Sequence, residues 1–321
     1  MKMKTKDLIA KLSRPALVLL ICVVLSILSP NFLTKANILN VLRQSSLLLI
    51  MSLGMLFAML LGKGLDLSIG ATLALSSCWA AMIMSQDPSN VGLTILGVVV
   101  GILVALLIGA INGALVAYFH LPAMLVTYGT RQIIRGIAFL QMSDKVITFL
   151  PRSITFIGTG RILGIGVPIW IAGLLTVVVI LVLKKTAFGR RFFLVGANDS
   201  TANFSGIDSK KTIMYGFMIN ALFAAIAGLI YIGRLNAAEP QLGPDFHFNA
   251  IAACAVGGVS MSNGGSGDPL GVVCGAIILM LLQNGMNLLG ISANWNDLVQ
   301  GAVIIIAVLL DFFANRKANK T

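Results

Sequence analysis

Charged side chains are scarce in this chain: Asp, Glu, Lys and Arg make up 11% of 321 residues, against roughly 25% in a soluble domain. That shortage excludes an ordinary soluble globular protein. Histidine is scarcer still, with two residues, and the four cysteines (Cys22, Cys78, Cys254, Cys274) contain no CxxC pair. Little material is left for a metal site, and each cysteine reads as a small buried hydrophobe. His120 and His247 read as loop or interface residues rather than ligands. A G-x-x-x-x-G-K-[ST] phosphate loop is absent, so the chain carries no nucleotide motor of that kind. Neither a Ser/His/Asp set nor a carboxylate pair points to catalysis, so neither an enzyme nor a resident cofactor is expected.

What is present is apolar. Hydrophobic residues reach 58% and the mean hydropathy is +0.96, which is the composition of a polytopic membrane protein. Lys and Arg (23) exceed Asp and Glu (11), yet the cations sit in loops and at the two ends, where membrane topology places them; nucleic acid is not implied. The N-terminus has the charge and apolar run of a secretory signal. No A-x-A site follows, and Ile21 precedes Cys22 where lipidation wants a small residue, so the run reads as a retained first span.

Spans need about 20 mostly apolar residues. Ten are expected, at 15–28, 45–61, 67–84, 93–119, 121–140, 167–183, 213–234, 248–261, 270–289 and 295–313. The fourth is long enough to tilt or bend, and the fifth and eighth are weak on hydropathy. Between the sixth and seventh lies a polar island, KKTAFGRRFFLVGANDSTANFSGIDSKK, basic at both ends. The N-terminal segment (Lys2, Lys4, Lys6, Lys11, Arg14), the island and the tail (Arg316, Lys317, Lys320) all satisfy the positive-inside rule if even numbers of spans separate them. Six and then four do so, as would a total of eight. The expected organisation is a cytoplasmic segment at 1–14, six helices over 15–183, a cytoplasmic loop at 184–212, four helices over 213–313 and a cytoplasmic tail at 314–321. Ten spans divide into two halves of five with opposite orientation, a common transporter design. Sequence support for a repeat is thin: GKGLDLSIGATLAL and VGGVSMSNGG are both Gly-rich breaks between apolar stretches.

Asp66 stands in GKGLDLSIG, at the second-to-third span junction. It is read as capping the following helix or pairing with Lys63 in a tight turn at the cytoplasmic face, with a role in gating or passage as the alternative. Arg131 and Arg135 lie one turn apart on one face of the fifth span, either at a pathway or inter-helix anchor or snorkelling to the outer interface. Asn112, in the fourth span, joins the pathway candidates. Gly258 and Gly264 belong to a Gly-rich break between the eighth and ninth spans, a gate or re-entrant turn, or close small-residue packing.

Several motifs, in order from residue 29 to the C-terminus, resemble one known family: SPNFLTKANILNVLRQSS, GLDLSIGATLAL, LPAMLVTYGTRQIIRGIAF, FGRRFFLVGANDSTANFSGID, FNAIAACAVGGVSMSNGGSG and LLQNGMNLLGISANWNDLVQGAVIIIAVLLD. The chain is similar to the permease subunits of bacterial ATP-binding-cassette importers, in the ribose/monosaccharide branch. The resemblance implies an all-α subunit that works with a second permease copy or a sister permease in the membrane lipid of the inner membrane. It implies a cytoplasmic ATPase that binds ATP and Mg, and a periplasmic or tethered sugar-binding protein. It also implies a short coupling helix within 188–208, with Arg190, Gly196, Asn198, Ser205, Gly206 and Ile207 as the contact candidates. The branch includes importers of pentoses, hexoses, a furanone-type autoinducer and nucleosides. An ion-coupled secondary transporter is the other class, but it would need intramembrane acids, and only Asp66 and Glu239 come near.

Overall fold

The computed structural model describes residues 5–143, 145–261, 263–292, 295, 298–306 and 309. Residues 1–4, eight residues of the expected tenth span (296, 297, 307, 308 and 310–313) and the expected tail lie outside them. The regular structure of the described residues is helical, apart from four strands of two residues each. Among the described residues, five helices are long and apolar enough to cross a membrane: α2 (Lys35–Leu60), α4 (Val91–Tyr118), α7 (Val167–Lys185), α10 (Ser209–Leu235) and α12 (Pro269–Leu288). The chain is an all-α polytopic membrane protein.

Local chemistry sets the helix starts. Thr34 accepts a hydrogen bond from Asn37 N to open α2, and Asn90 accepts one from Leu93 N to open α4. Pro168 sits in the first turn of α7, where its missing N–H costs nothing. α10 ends on Asn236 in the left-handed region, φ 51°, a conformation that Asn tolerates. Leu103 and Leu107 of α4 and Leu174 of α7 stay exposed, the apolar outward face that hydrocarbon permits.

α10 is the centre of the assembly, against α4, α2, α3 (Ile69–Met84) and the short α6 (Arg152–Thr159). α4 also packs on α3. On the other side α12 packs on α11 (Phe246–Val256) and on α2, and α11 packs on α2. Exchanging α2 with α10, α3 with α11 and α4 with α12 reproduces this pattern. Glycines permit the approaches: a Cβ on Gly113 would lie 2.7 Å from Met214 Cα, and one on Gly109 2.7 Å from the Phe217 carbonyl oxygen.

Three elements depart from the sequence reading, the first being the helix Thr5–Leu28, which begins ten residues before the expected 15. The expected eighth span, 248–261, is the eleven-residue α11 ending at Val256, about 16 Å long, or half of a hydrocarbon core about 30 Å thick. Gly257 and Gly258 stop it, Gly258 with φ +74°. The second helix begins ten residues before the expected 45, at Lys35, because Asn37, Asn40, Arg43 and Gln44 lower its hydropathy without breaking the helix. α1 (Thr5–Leu28) and α5 (Ala123–Met142) complete the described bundle.

Candidate functional site

The chain breaks before both α3 and α11, and the two breaks meet. Residues 61–68 and 239–245 are irregular. Gly70, in the first turn of α3, lies against the Gly243 carbonyl, and a Cβ on it would stand 3.7 Å from His247 Nδ1 in the first turn of α11. Two helix N-termini therefore face each other inside the bundle. Backbone freed by such breaks must find partners within the protein.

Asp66 supplies them on one side. Its Oδ1 accepts from Ser68 N at 2.8 Å and from Ser68 Oγ at 2.7 Å, and its Oδ2 accepts from Asn220 Nδ2 at 2.9 Å. Asn112 Nδ2 donates to Ser68 Oγ at 2.9 Å and Thr130 Oγ1 donates to Asn112 Oδ1 at 2.7 Å. Asp66, Ser68, Asn112 and Asn220 are each 0–1% exposed. Of the two sequence readings of Asp66, the pairing with Lys63 is corrected, since Lys63 reaches Asp199 instead; the carboxylate does hold the turn into α3 through Ser68 N, but from inside the bundle, where it ties α3 to α10. Asp66 and Asn112 belong to one buried hydrogen-bond network, in which the Asn220 side-chain carbonyl oxygen alone has no partner among the described residues.

Arg135 and Arg131 serve the other break. Arg135 Nη1 donates to the carbonyls of Pro240 and of Leu242, the latter at 2.9 Å, and Arg131 Nη2 donates to Pro244 O at 3.3 Å. Proline 240 and 244 cannot donate, so their segment offers acceptors that a guanidinium fork satisfies. Both arginines line a cavity of about 370 Å³ with Gln241 and Phe139. His247 is corrected as well: it is fully buried in α11, with neither ring nitrogen hydrogen-bonded, not a loop or interface residue. His120 is exposed, and among the cysteines Cys78 and Cys254 are buried while Cys22 and Cys274 are half-buried.

The island folds as α8 (Ala187–Ala197) and α9 (Asp199–Phe204). Thr186 caps α8 and Asn198 caps α9, each accepting from the backbone N–H three residues on. After Ser205, Gly206 turns the chain at φ +79°, and Ile207 N closes onto Ala202 O at 3.0 Å. Phe192 of α8 is fully buried, edge-on to Phe57 of α2 at 5.1 Å. Gly196 has no room for a side chain between the Leu60 carbonyl and Gly265 N, which are themselves hydrogen-bonded at 2.7 Å. Gly264 fits between Gly62 and the Gly196 carbonyl. Lys63 holds Asp199, and that hydrogen bond keeps the Asp199 carboxyl below its usual range. Lys184 pairs with Asp268 at 2.9 Å, Lys210 stands 5.5 Å over the Tyr118 ring, and the Arg14 guanidinium lies against Gly258 and Gly271. The island, the two Gly-rich segments and the end of α4 therefore share one face. Arg190 and Asn198 stay exposed there, as does Phe204 at 93%.

On the opposite face, Ile147–Thr148 pairs antiparallel with Ala237–Ala238, and α6 seats Gly158 on the Gly233–Arg234 backbone of α10. Below it lies a cleft that sequence reasoning did not find. Two adjoining cavities of about 260 and 280 Å³ share Phe246, Asn249, Met280 and Gln283 as lining. The second also has Gln44, Tyr231 and Arg234 in its wall. Amides inside apolar helices were the available signal.

Comparison with known proteins follows the whole chain. Residues 37–308 match the family model described as branched-chain amino acid transport system / permease component. The ribose import permease protein RbsC of Haemophilus influenzae is 38% identical over 314 residues, 97% of this chain and 95% of the relative. RbsC of Bacillus subtilis is 40% identical over 296 residues, 91% of this chain and 89% of the relative. The D-allose transport system permease protein AlsC of Escherichia coli is 36% identical over 288 residues, 88% and 86% of the two chains. No solved structure matches the chain.

Proposed function

The chain belongs to the branched-chain amino acid transport system permease component family, and we propose that it is the multi-pass inner-membrane subunit of an ATP-driven importer of a monosaccharide. The observation that carries this reading is end-to-end similarity to relatives named as ribose and D-allose permeases. The substrate is a ribose-like pentose or a hexose.

The subunit crosses the membrane about ten times, six helices before the island and four after it, with both termini and the 184–212 loop in the cytoplasm. The clustering of Gly62, Tyr118, the island, Gly264 and Arg14 on one face supports that count, because these are the N-terminal segment and all four even-numbered junctions. The exchange of α2 with α10, α3 with α11 and α4 with α12 supports two inverted halves.

The subunit is not an enzyme. ATP and Mg bind a separate cytoplasmic subunit, a second permease completes the membrane core, and a periplasmic or tethered binding protein delivers the sugar. α9, with Arg190, Asn198, Ser205, Gly206 and Ile207 about it, is the element that enters the ATPase, and the exposed Phe204 is suited to its groove. Movement of α9 passes to the spans through Gly196, wedged between the end of α2 and the Gly-rich loop. Gly258 and Gly264 flex in that loop, while Asp66 and Asn112 hold the α3 break and Arg131 and Arg135 brace the α11 break beside the path. A ribose-transport-deficient bacterium expressing this chain with its ATPase and binding protein tests the reading: growth on ribose is expected from the three together, and growth from the chain alone refutes it.

A further inference from the structure

We infer that the cleft bounded by Gln44, Asn249 and Gln283 is a transit site for the neutral, polyhydroxylated solute, an inference that rests on the importer reading above. The three carboxamides come from three helices, α2, α11 and α12, and converge on two cavities that share a wall. Among the described residues, neither Gln44 nor Gln283 has a hydrogen-bond partner, and the Asn249 amide nitrogen reaches only the Asp245 carbonyl, at 3.4 Å. All three are half-buried. A carboxamide left unpaired at membrane depth is costly unless it faces water or a polar solute. The Asp66 network shows the contrast, since there every amide nitrogen has an acceptor.

Chemistry narrows the solute. A carboxamide both donates and accepts, as a hydroxyl does, so three of them suit a ring carrying several hydroxyls. Tyr231 and Phe246 stand together in the same wall, ring centroids 5.3 Å apart, and offer an apolar surface to the C–H face of a sugar. Each cavity has a single charged lining residue, Asp245 in one and Arg234 in the other, of opposite sign, so the cleft as a whole favours neither charge of an ionic substrate. Depth fits passage: Gln44 lies about 14 Å along α2 from its first residue, and Gln283 about 8 Å from the end of α12. The absence of a dedicated ionic anchor suits a transit site, which must release what it binds.

The test uses the complete importer in proteoliposomes, with D-ribose as the probe and D-allose and L-arabinose as comparators. Gln283→Leu and Gln44→Leu each lower D-ribose uptake about 3- to 10-fold, the loss of a single neutral hydrogen bond, and shift the preference among the three sugars. Gln283→Asn keeps the amide and recovers part of the rate. In a background with the four native cysteines replaced by alanine, Gln283→Cys in the assembled complex reacts with a membrane-impermeant thiol reagent, and excess D-ribose slows the reaction. Unchanged uptake and sugar preference in both leucine variants would overturn the inference. So would a Gln283→Cys that is labelled in the isolated chain but shielded in the complex, which would make the cleft a seat for the second copy. A wild-type complex that moves none of the three sugars refutes the importer reading itself, and that control is read separately.

Discussion

Gly196→Ala is the sharpest perturbation of the contact between island and spans. Its methyl carbon would fall well inside van der Waals contact of the Leu60 carbonyl oxygen and of Gly265 N, with the Leu60 carbonyl carbon 2.9 Å away. All three are backbone atoms, so no side chain can swing aside. Relief requires separating the α2 end from the Gly-rich loop and breaking their 2.7 Å hydrogen bond. A lost hydrogen bond of about 0.5–1.5 kcal/mol and overpacking of about 1–3 kcal/mol give roughly 2–4 kcal/mol in all, a fall in thermal midpoint on the order of 5 °C or more. Two comparisons isolate the cause. Gly129, in α5, has nothing within 4 Å of an added Cβ, and Ala there is neutral or slightly stabilising. Gly206 also has free space, but at φ +79°, so alanine there costs about 1–2 kcal/mol of backbone strain without moving a neighbour. Thermal unfolding of the detergent-solubilised variants should rank Gly196→Ala below Gly206→Ala and both below Gly129→Ala, and ATP-dependent uptake should fall most in the first. Equal midpoints and equal uptake for Gly196→Ala and Gly129→Ala would refute the wedge.

Three further outcomes are expected. Asp66→Leu leaves Ser68 and Asn220 donors without an acceptor in a dry core and costs about 3–5 kcal/mol, while Asp66→Asn, which keeps one acceptor oxygen, costs under about 2 kcal/mol; thermal midpoints measure both. Arg135→Ala removes the charged donor from two loop carbonyls, a loss of about 3 kcal/mol, so uptake falls with the midpoint, and unchanged uptake would sink the bracing role of that arginine. The Lys63–Asp199 pair acts on the carboxylate side of the linkage: Asp199 is depressed in the folded chain by the Lys63 hydrogen bond, so its stabilisation is complete above the ordinary carboxylate range and lost as pH falls through the lowered pKa. Hydrogen exchange over 199–205 should therefore be insensitive to the pair's titration between pH 6 and 8, whereas Lys63→Met accelerates it at pH 7.5 by less than about tenfold, as a half-exposed pair allows.

Much of this was legible because hydrocarbon imposes strict lengths. α4, α7, α10 and α12 follow the apolar runs closely, and the island stands out because nothing else in the interior is so polar. The breaks were harder. Residues 239–245 are spent crossing toward α11 without a helix, and no hydropathy window separates such a segment from an ordinary loop. Asp66 looked like a turn residue because its glycine neighbours suit a turn equally well. Its buried partner Asn220, and Asn112, which bonds its neighbour Ser68, lie 154 and 46 positions away in sequence, a proximity that only packing creates. Gln44, Asn249 and Gln283 escaped notice for the same reason: one amide in one helix is unremarkable, and the convergence of three exists only in the fold.

The most direct test of the account is sugar uptake by proteoliposomes containing this chain, its ATPase and its binding protein. Accumulation of D-ribose or a related monosaccharide that requires ATP hydrolysis and the binding protein, and persists without any proton or sodium gradient, is the predicted result. Accumulation driven by an imposed ion gradient with the ATPase left out would contradict it.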